Sequence, residues 1–458
     1  MSGDRPDGLG FRISRRRAVA IGGAATASVV AGGSVPDPTE LGGRDRTPPI
    51  DGEPDSIERV HEVGITGEGG RIAVLDPTGF DPTHDDLMGS IEAVRQFGSE
   101  RAIVDGVSHG TAASASVTRL APASRLSLAS FQETADFVEA IEWARRQAVD
   151  VILAPVAAHG TAATPRSDVY RAARRAVDAG CTFVAPTGNA ALGHWQGPYG
   201  ALAVGGSDRR RRLRIAGRPG ADTDTVAGRF IAWLVAAPAI EVDLTLALLR
   251  SVDDGQRWNL VSLSRSTASR TGQRLVADLS DGAYALVVRP AGRDESPAVD
   301  GPDFNIDPTG RVTVTTPTHT LASPRPHGSI AAPARVPGVV GVGVTDDEGS
   351  RTDGDATTAG EVSPHSGRGP TSNGAIGVDL VAPPLPWIGA GAPGTSAAAA
   401  RTAGAAVLVL DAAPDLDPPD VAGILRASAG DVGRRGRDFA AGAGRLDIVA
   451  AVQRARAQ

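Results

Sequence analysis

Three side chains in this sequence could together carry out a nucleophilic acyl transfer. Asp76 directly follows the apolar run 71–75, His109 opens a run of small residues, and Ser396 begins a run made largely of alanine. A serine hydroxyl is a weak nucleophile at neutral pH and needs a base within hydrogen-bond reach. Histidine suits that role because its ordinary pKa lies near neutrality, and a carboxylate that accepts its second ring N–H holds the useful tautomer. The sequence therefore offers an acid, a base and a nucleophile.

The elements that must position these side chains are strands that alternate with helices. Residues 71–75 form a short apolar run between Gly69-Gly70 and Pro77-Thr78-Gly79, which predicts a buried parallel strand. That strand delivers Asp76 at its carboxyl end, where open α/β sheets place reactive groups. Further strands are predicted at 150–153, 181–185 and 338–344, and helices at 137–148, 169–177, 396–410, 418–428 and 446–454. The alternation predicts an α/β fold with three layers around a mostly parallel central sheet.

The helical period disappears between residues 229 and 290. Apolar and polar residues alternate there, as in Ile240 to Leu246 and Tyr284 to Val288, with turn residues in between. This pattern predicts antiparallel strands. We therefore expect an inserted antiparallel module that resembles a β-sandwich.

The N-terminus has the composition of an export signal. Arg15, Arg16 and Arg17 precede an apolar run rich in alanine and glycine that continues to Ala31. Twin arginines before a weakly hydrophobic run are typical of the twin-arginine route. The sequence thus predicts a signal at 1–34 and a linker rich in proline and aspartate at 35–54. Its site of removal, or its retention as an anchor, stays open.

Four motifs in a fixed order resemble the subtilisin-like peptidases. They are Asp76 in Val-Leu-Asp, His109 in His-Gly-Thr, Asn189 in Thr-Gly-Asn and Ser396 in Gly-Thr-Ser-Ala. The order Asp, His, Ser separates this family from other serine hydrolases. Two further stretches resemble the family, namely 84–87 and the segment from Gly367-Arg368-Gly369-Pro370-Thr371 to 378–383. The sequence around Asn189 also resembles the subtilases of halophilic archaea, which often carry a β-rich insertion.

The resemblance implies a function and a division of the chain. It implies an exported serine endopeptidase with a subtilisin-like fold, in which Asp76, His109 and Ser396 are the catalytic triad and Asn189 is an oxyanion donor. The peptidase core is expected at 55–208 and 325–458, and the β-rich insertion at 209–324. The partners implied are polypeptide substrates, and a monomer located outside the cell or at its surface is expected. No cofactor is expected; many subtilases use calcium, and this sequence assigns no site for it.

Several departures from the family pattern favour an alternative function. An extra Pro77 follows the acid, and Ala400-Arg401 stands where the family has Pro-His after the nucleophile. The stretch 153–157 replaces the family's Asn-Met-Ser-Leu-Gly, which binds the substrate backbone. The alternative is a weakly active or inactive subtilase-fold protein that acts as a binding or surface module.

Composition excludes other classes of function. The net charge of −7 argues against general binding to nucleic acid or anionic membranes, so contact with a membrane is expected only through a retained signal. One cysteine, Cys181, cannot form an internal disulfide and is predicted to be a buried core thiol. The acidic stretches 346–348 and 353–355 could bind calcium, but their spacing fits surface turns better, and the same applies to 84–86.

Overall fold

The computed structural model describes residues 54–98, 101–160, 167–202, 212–217, 226–237, 240, 244–253, 255–266, 272–290, 309–346, 361–385, 387 and 394–458, and the backbone of 29–31. The helices are α1 Pro54–Glu62, α2 His109–Leu120, α3 Thr134–Arg146, α4 Asp168–Asp178, α5 Thr395–Ala412, α6 Pro418–Ser428 and α7 Ile448–Arg456. The strands are β1 Val29–Ala31, β2 Arg71–Leu75, β3 Ile91–Gln96, β4 Arg125–Ser130, β5 Val151–Leu153, β6 Val156–Ala158, β7 Thr182–Pro186, β8 His194–Pro198, β9 Leu213–Arg214, β10 Val226–Ala236, β11 Leu244–Ser251, β12 Trp258–Leu263, β13 Arg265–Ser266, β14 Gly272–Gly282, β15 Tyr284–Pro290, β16 Arg311–Thr315, β17 Val340–Val344 and β18 Leu380–Ala382.

A seven-stranded sheet forms the centre of the molecule. Its strand order is β18-β17-β7-β5-β2-β4-β3, and every neighbouring pair is parallel. The side chains of β2 show why both faces of the sheet are covered. Ile72 and Val74 pack into one apolar core, and Ala73 and Leu75 into the other. Because successive side chains of a strand point to opposite faces, the four consecutive apolar residues 72–75 require a covering layer on each side of the sheet.

The two helical layers differ in composition. Helices α3 and α4 cover one face with residues such as Phe137, Ile141 and Val169. Helix α5 lies on the other face, and its first fifteen residues are buried. Its small side chains let it approach both the sheet and α2, since a Cβ at Gly404 would lie only 3.0 Å from Leu120. The predicted fold class, a three-layer α/β fold of the subtilisin type with additional antiparallel strands, is confirmed.

The antiparallel strands form two sheets that enclose a separate core. One sheet has the order β13-β14-β10-β16-β8 and the other β12-β11-β15-β9. The apolar residues between them include Phe230, Leu246, Leu286 and Val314. Edge strand β8 comes from the chain segment just before the predicted insertion. The sheets contact the α/β part where the ring of Trp233 lies 5.4 Å from that of His159.

A separate pair of strands joins the N-terminal segment to the α/β part. Strand β1 pairs antiparallel with β6, so that Ala31 is opposite Val156. Most of the predicted signal, the linker up to residue 53 and the acidic stretch 353–355 lie outside the described residues. Among the helices of the described ranges, none has the length and apolar character needed to cross a lipid bilayer.

Candidate active site

The candidate site lies where three adjacent parallel strands end. Strands β2, β5 and β7 are neighbours in the sheet, and their carboxyl ends share one edge. Asp76 directly follows β2, Pro155 comes shortly after β5, and Asn189 lies in the loop after β7. Because neighbouring strands are about 4.8 Å apart, these residues occupy a short stretch of one edge. This is the edge at which open α/β sheets bind ligands.

Asp76 is held by its own turn and by a histidine. Its side chain is fully buried, and Oδ1 accepts hydrogen bonds from the N–H of Thr78 at 2.9 Å and from its hydroxyl at 2.6 Å. The other carboxylate oxygen, Oδ2, lies 2.6 Å from Nδ1 of His109. The extra Pro77, noted as a departure from the family pattern, lies inside this turn. The turn therefore occupies one carboxylate oxygen and leaves the other for the imidazole.

His109 is fixed by the start of α2. Ser108 caps the helix by accepting a hydrogen bond from the N–H of Thr111, and its own hydroxyl donates to the Gly79 carbonyl at 2.5 Å. The Gly110 N–H donates to the Thr78 hydroxyl at 3.0 Å. A Cβ at Gly110 would come within 2.4 Å of the Gly79 oxygen, so only glycine allows this close approach. Helix α2 is thereby joined to the Asp76 turn.

The hydrogen bond to Asp76 determines which ring nitrogen of His109 can accept a proton. Assigned from this bond, Nδ1 carries the hydrogen and Nε2 presents its lone pair. Nε2 is buried and has no hydrogen-bond partner among the described residues. The ring of Trp387 lies 5.1 Å from the imidazole ring and covers part of it. His109 is therefore arranged as a base with a free acceptor atom.

Ser396 and Asn189 meet at the start of α5. Oδ1 of Asn189 accepts hydrogen bonds from the N–H of Thr395 at 3.0 Å and from its hydroxyl at 2.8 Å. These bonds orient the amide so that Nδ2 remains as a donor. Ser396 is the second residue of α5, where backbone N–H groups have no acceptor within the helix. A Cβ at Gly394 would lie 2.7 Å from Nδ2 of Asn189, so this glycine leaves the amide room.

The Ser396 hydroxyl differs from the sequence-based expectation. An activated serine is expected to bond to the histidine, but here Oγ donates to the Pro155 carbonyl at 2.9 Å. The physical reason is that this carbonyl, near the end of β5, is an acceptor within reach of the buried hydroxyl. Turning the hydroxyl away by a rotation about χ1 gives up one hydrogen bond, a net cost of about 1 kcal/mol.

Several residues of the site escaped sequence reasoning. Thr78 orients Asp76 and stands within the motif that marked Asp76, whereas Thr395 orients Asn189 and stands within the motif that marked Ser396. Pro155 acts through a backbone carbonyl, which no residue type reveals. Trp387 lies in a stretch without any motif, so its ring contact with His109 could not be predicted. The first two could have been found from the spacing within the motifs.

The other residues singled out in the sequence have structural roles. His84 and Asp86 lie 3.6 Å apart in a turn, and Arg119 pairs with Asp86 at 2.9 Å. Cys181 is buried, and burial raises the pKa of its thiol to about 11. Of the acidic stretch 346–348, only Asp346 is among the described residues. Within those residues, no three histidine, cysteine, aspartate or glutamate side chains form a metal-binding group.

Comparison with known proteins connects this geometry to one family. The model of the subtilase family matches residues 67–444. Among solved structures, the CspB protease of Clostridium perfringens has 16% identity and a TM-score of 0.57, with 86% of this chain and 94% of that chain covered. A lanthipeptide protease has 14% identity and a TM-score of 0.46, with 86% and 90% covered. A comparison with curated proteins finds no match. The resemblance to subtilases of halophilic archaea stays a prediction.

Proposed function

Because the chain belongs to the subtilase family of serine proteases, we propose that it is an exported serine endopeptidase with Asp76, His109 and Ser396 as its triad. The observation that carries this proposal is the 2.6 Å contact between the buried carboxylate of Asp76 and Nδ1 of His109. That contact leaves an unpartnered Nε2 at the sheet edge where Ser396 also lies. His194 also has an unpartnered Nε2, but its Nδ1 meets the backbone carbonyl of Arg325 and not a buried carboxylate.

The proposed reaction passes through an acyl-enzyme on Ser396. The Ser396 hydroxyl leaves the Pro155 carbonyl, gives its proton to Nε2 of His109, and Oγ attacks the carbonyl carbon of a peptide bond. Asp76 stabilises the imidazolium that forms. The imidazolium then gives its proton to the leaving amine as the C–N bond breaks. Water, deprotonated by His109, hydrolyses the acyl-enzyme and restores the serine.

The oxyanion of the tetrahedral intermediate has two candidate donors. They are the backbone N–H of Ser396, with the dipole of α5 behind it, and Nδ2 of Asn189. Thr395 orients the amide before the reaction, so no reorganisation is needed when negative charge develops. A donor of this kind contributes about 3 to 4 kcal/mol to transition-state stabilisation.

Strand β6 supports polypeptides as the substrate class. It starts at Val156, directly after Pro155, and it pairs antiparallel with the extended segment β1. A strand that accepts one extended segment offers the same backbone groups to another. The backbone at 156–157, within the unusual stretch 153–157, thus pairs with an extended chain, which supports a peptide as substrate. The alternative, a weakly active or inactive binding module, is favoured by no comparable observation.

Export and assembly complete the proposal. The arginines at 15–17 and the apolar run that follows support export by the twin-arginine route. We propose that the protein acts outside the cell or at its surface as a monomer, with no cofactor and no nucleic-acid partner.

The test is labelling of the purified chain with a fluorophosphonate probe, at low and at high salt. Labelling of the wild type is expected, and it should vanish in Ser396→Ala and His109→Ala. Ser114→Ala is the matched control, because Ser114 is also buried on a helix and its hydroxyl has no described partner. Digestion of a peptide library would then establish endopeptidase activity. A folded wild type that takes up no label under any salt condition would overturn the proposal in favour of the binding module.

A further inference from the structure

A cavity of about 530 Å³ lies between the antiparallel sheets and the α/β part. Its lining includes Gln196 of β8, Arg311 of β16 and the side chains of Arg325, His327 and Arg335. We call it the arginine cavity. None of its described lining residues is acidic, although the chain as a whole has a net charge of −7. Its volume is in the range of cavities that bind small molecules or side chains.

Arg335 contributes a half-buried guanidinium group to this cavity. Two other half-buried arginines meet carboxylates, Arg119 with Asp86 and Arg426 with Asp379, both at 2.9 Å. Arg335 has no carboxylate within ion-pair distance in the described part of the chain, and its buried Nε has no hydrogen-bond partner. Burial lowers the pKa of its guanidinium to about 10, so the group is still charged at neutral pH. A half-buried positive charge without a counter-charge loses part of its hydration and favours an anion.

The other two arginines are already held in place. Nη1 of Arg311 donates to the side-chain oxygen of Gln196 at 2.9 Å. Nη1 of Arg325 lies 3.3 Å from the backbone oxygen of Gln196, and its guanidinium stacks over the Trp195 ring at 4.8 Å from the ring centroid. Guanidinium groups held in this way lose little freedom when they bind a carboxylate.

The cavity wall is continuous with the candidate active site. The N–H of Ala331 donates to the Thr187 carbonyl at 2.9 Å, in the loop that leads to Asn189. The carbonyl of Ala332 accepts from the N–H of Ala158 at 2.8 Å, at the end of β6. One segment, 327–335, therefore contacts the loop of Asn189 and strand β6 and also lines the arginine cavity. A polypeptide bound at the catalytic residues would have this segment as its neighbour.

We propose that the arginine cavity is an exosite that binds the carboxylate side chains of an acidic segment of the polypeptide substrate. The inference rests on the proposed function for the class of ligand. A planar guanidinium matches a carboxylate through two parallel hydrogen bonds, and several glutamate or aspartate side chains fit the volume. A long polyanion such as nucleic acid is disfavoured by the net negative charge of the chain.

Binding is measured without hydrolysis, on the Ser396→Ala protein. The probe is a fluorescein-labelled peptide with four glutamates in a neutral sequence, followed by fluorescence anisotropy, and its glutamine analogue is the comparison. We expect the glutamate peptide to bind at least tenfold more tightly and to weaken as salt is added. Arg335→Gln and Arg311→Gln should each weaken binding about tenfold, the loss of one charge-assisted pair. Arg311 is exposed, so its variant keeps the test valid where Arg335→Gln does not fold.

The matched control is Arg229→Gln, because Arg229 is an exposed arginine of the same sheet that already pairs with Asp278. It should bind the peptide like its parent. Equal binding of both peptides, or unchanged binding in both cavity variants, overturns the proposal. Displacement of the peptide by inorganic phosphate at equal concentration would identify a general anion site and also overturn it. Fluorophosphonate labelling of the wild type tests the proposed function separately, so either proposal can fail alone.

Discussion

Replacing Asp76 by asparagine should inactivate the protein without unfolding it, and the geometry explains why. Thr78 directs an N–H and a hydroxyl at Oδ1, and both need an acceptor. The amide oxygen of asparagine must therefore stay on Thr78, and its NH₂ group must face Nδ1 of His109. Two donors cannot face each other, so the imidazole presents its lone pair at Nδ1 and carries the hydrogen on Nε2. An Nε2 that already carries a hydrogen cannot take the proton of Ser396.

The expected loss follows from the tautomer alone. The same substitution in a serine protease with this arrangement lowers kcat about 10⁴-fold, equivalent to about 5 kcal/mol. The assay is the rate of fluorophosphonate labelling together with the rate of peptide hydrolysis, with urea unfolding to show that the fold is kept. Asp81→Asn is the control, because Asp81 accepts the same pair of bonds from Thr83 at 2.9 and 2.6 Å, while its other carboxylate oxygen accepts from the backbone N–H of Gly106 at 3.1 Å and not from His109. A loss below tenfold in Asp76→Asn, where Ser396→Ala abolishes labelling, would refute the reasoning.

Three other substitutions test the oxyanion donor, the packing and the pH dependence. Asn189→Ala should lower kcat for a peptide 10²- to 10³-fold with little change in KM, and an unchanged kcat would exclude the amide as a donor. Gly110→Ala should cost about 1 to 3 kcal/mol in urea unfolding, because its Cβ would meet a carbonyl oxygen at 2.4 Å, whereas Gly423→Ala, with no atom within 4 Å, should be neutral or stabilising. Burial, aided by the charge of a nearby arginine, lowers the pKa of His159 from 6.5 to about 3. The unfolded chain therefore binds more protons below pH 6.5, and this one group should lower the unfolding free energy by about 2 kcal/mol between pH 6.5 and 5. His159→Gln should remove that part of the pH dependence in urea unfolding at several pH values, and a variant that keeps the full dependence would contradict this assignment.

The sequence predicts elements best where local chemistry decides them. The helix predicted at 418–428 is observed with the same limits, because Asp417 caps it and prolines occupy its first turn. The strand predicted at 71–75 is β2, whose uninterrupted apolar run suits only a sheet covered on both faces. The candidate acid and base were also found from sequence, since each stands at the end of such an element. The 2.6 Å contact between Asp76 and His109 joins the end of β2 to the start of α2, and both elements lie in the first half of the chain.

Features that join distant parts of the chain were not predicted. The acceptor of the Ser396 hydroxyl is a backbone carbonyl, and any residue can supply one. The arginine cavity collects side chains from β8, β16 and the segment 325–335, which no local pattern connects. Strand β1 falls within the predicted signal, where composition indicates export and carries no information on pairing with β6. In each case the missing information is the tertiary arrangement.

The pairing of β1 with β6 has a kinetic consequence. The two strands belong to one chain, so the pairing does not weaken on dilution, and a tethered segment acts at an effective concentration on the order of millimolar. On the proposed function, a free peptide must outcompete this internal occupant, which raises its apparent KM without any change in the catalytic groups. A cut on the N-terminal side of Val29 leaves the occupant attached, whereas a cut after Ala31 lets it diffuse away. The position of that single cut would then determine the apparent KM of the protein for a free peptide.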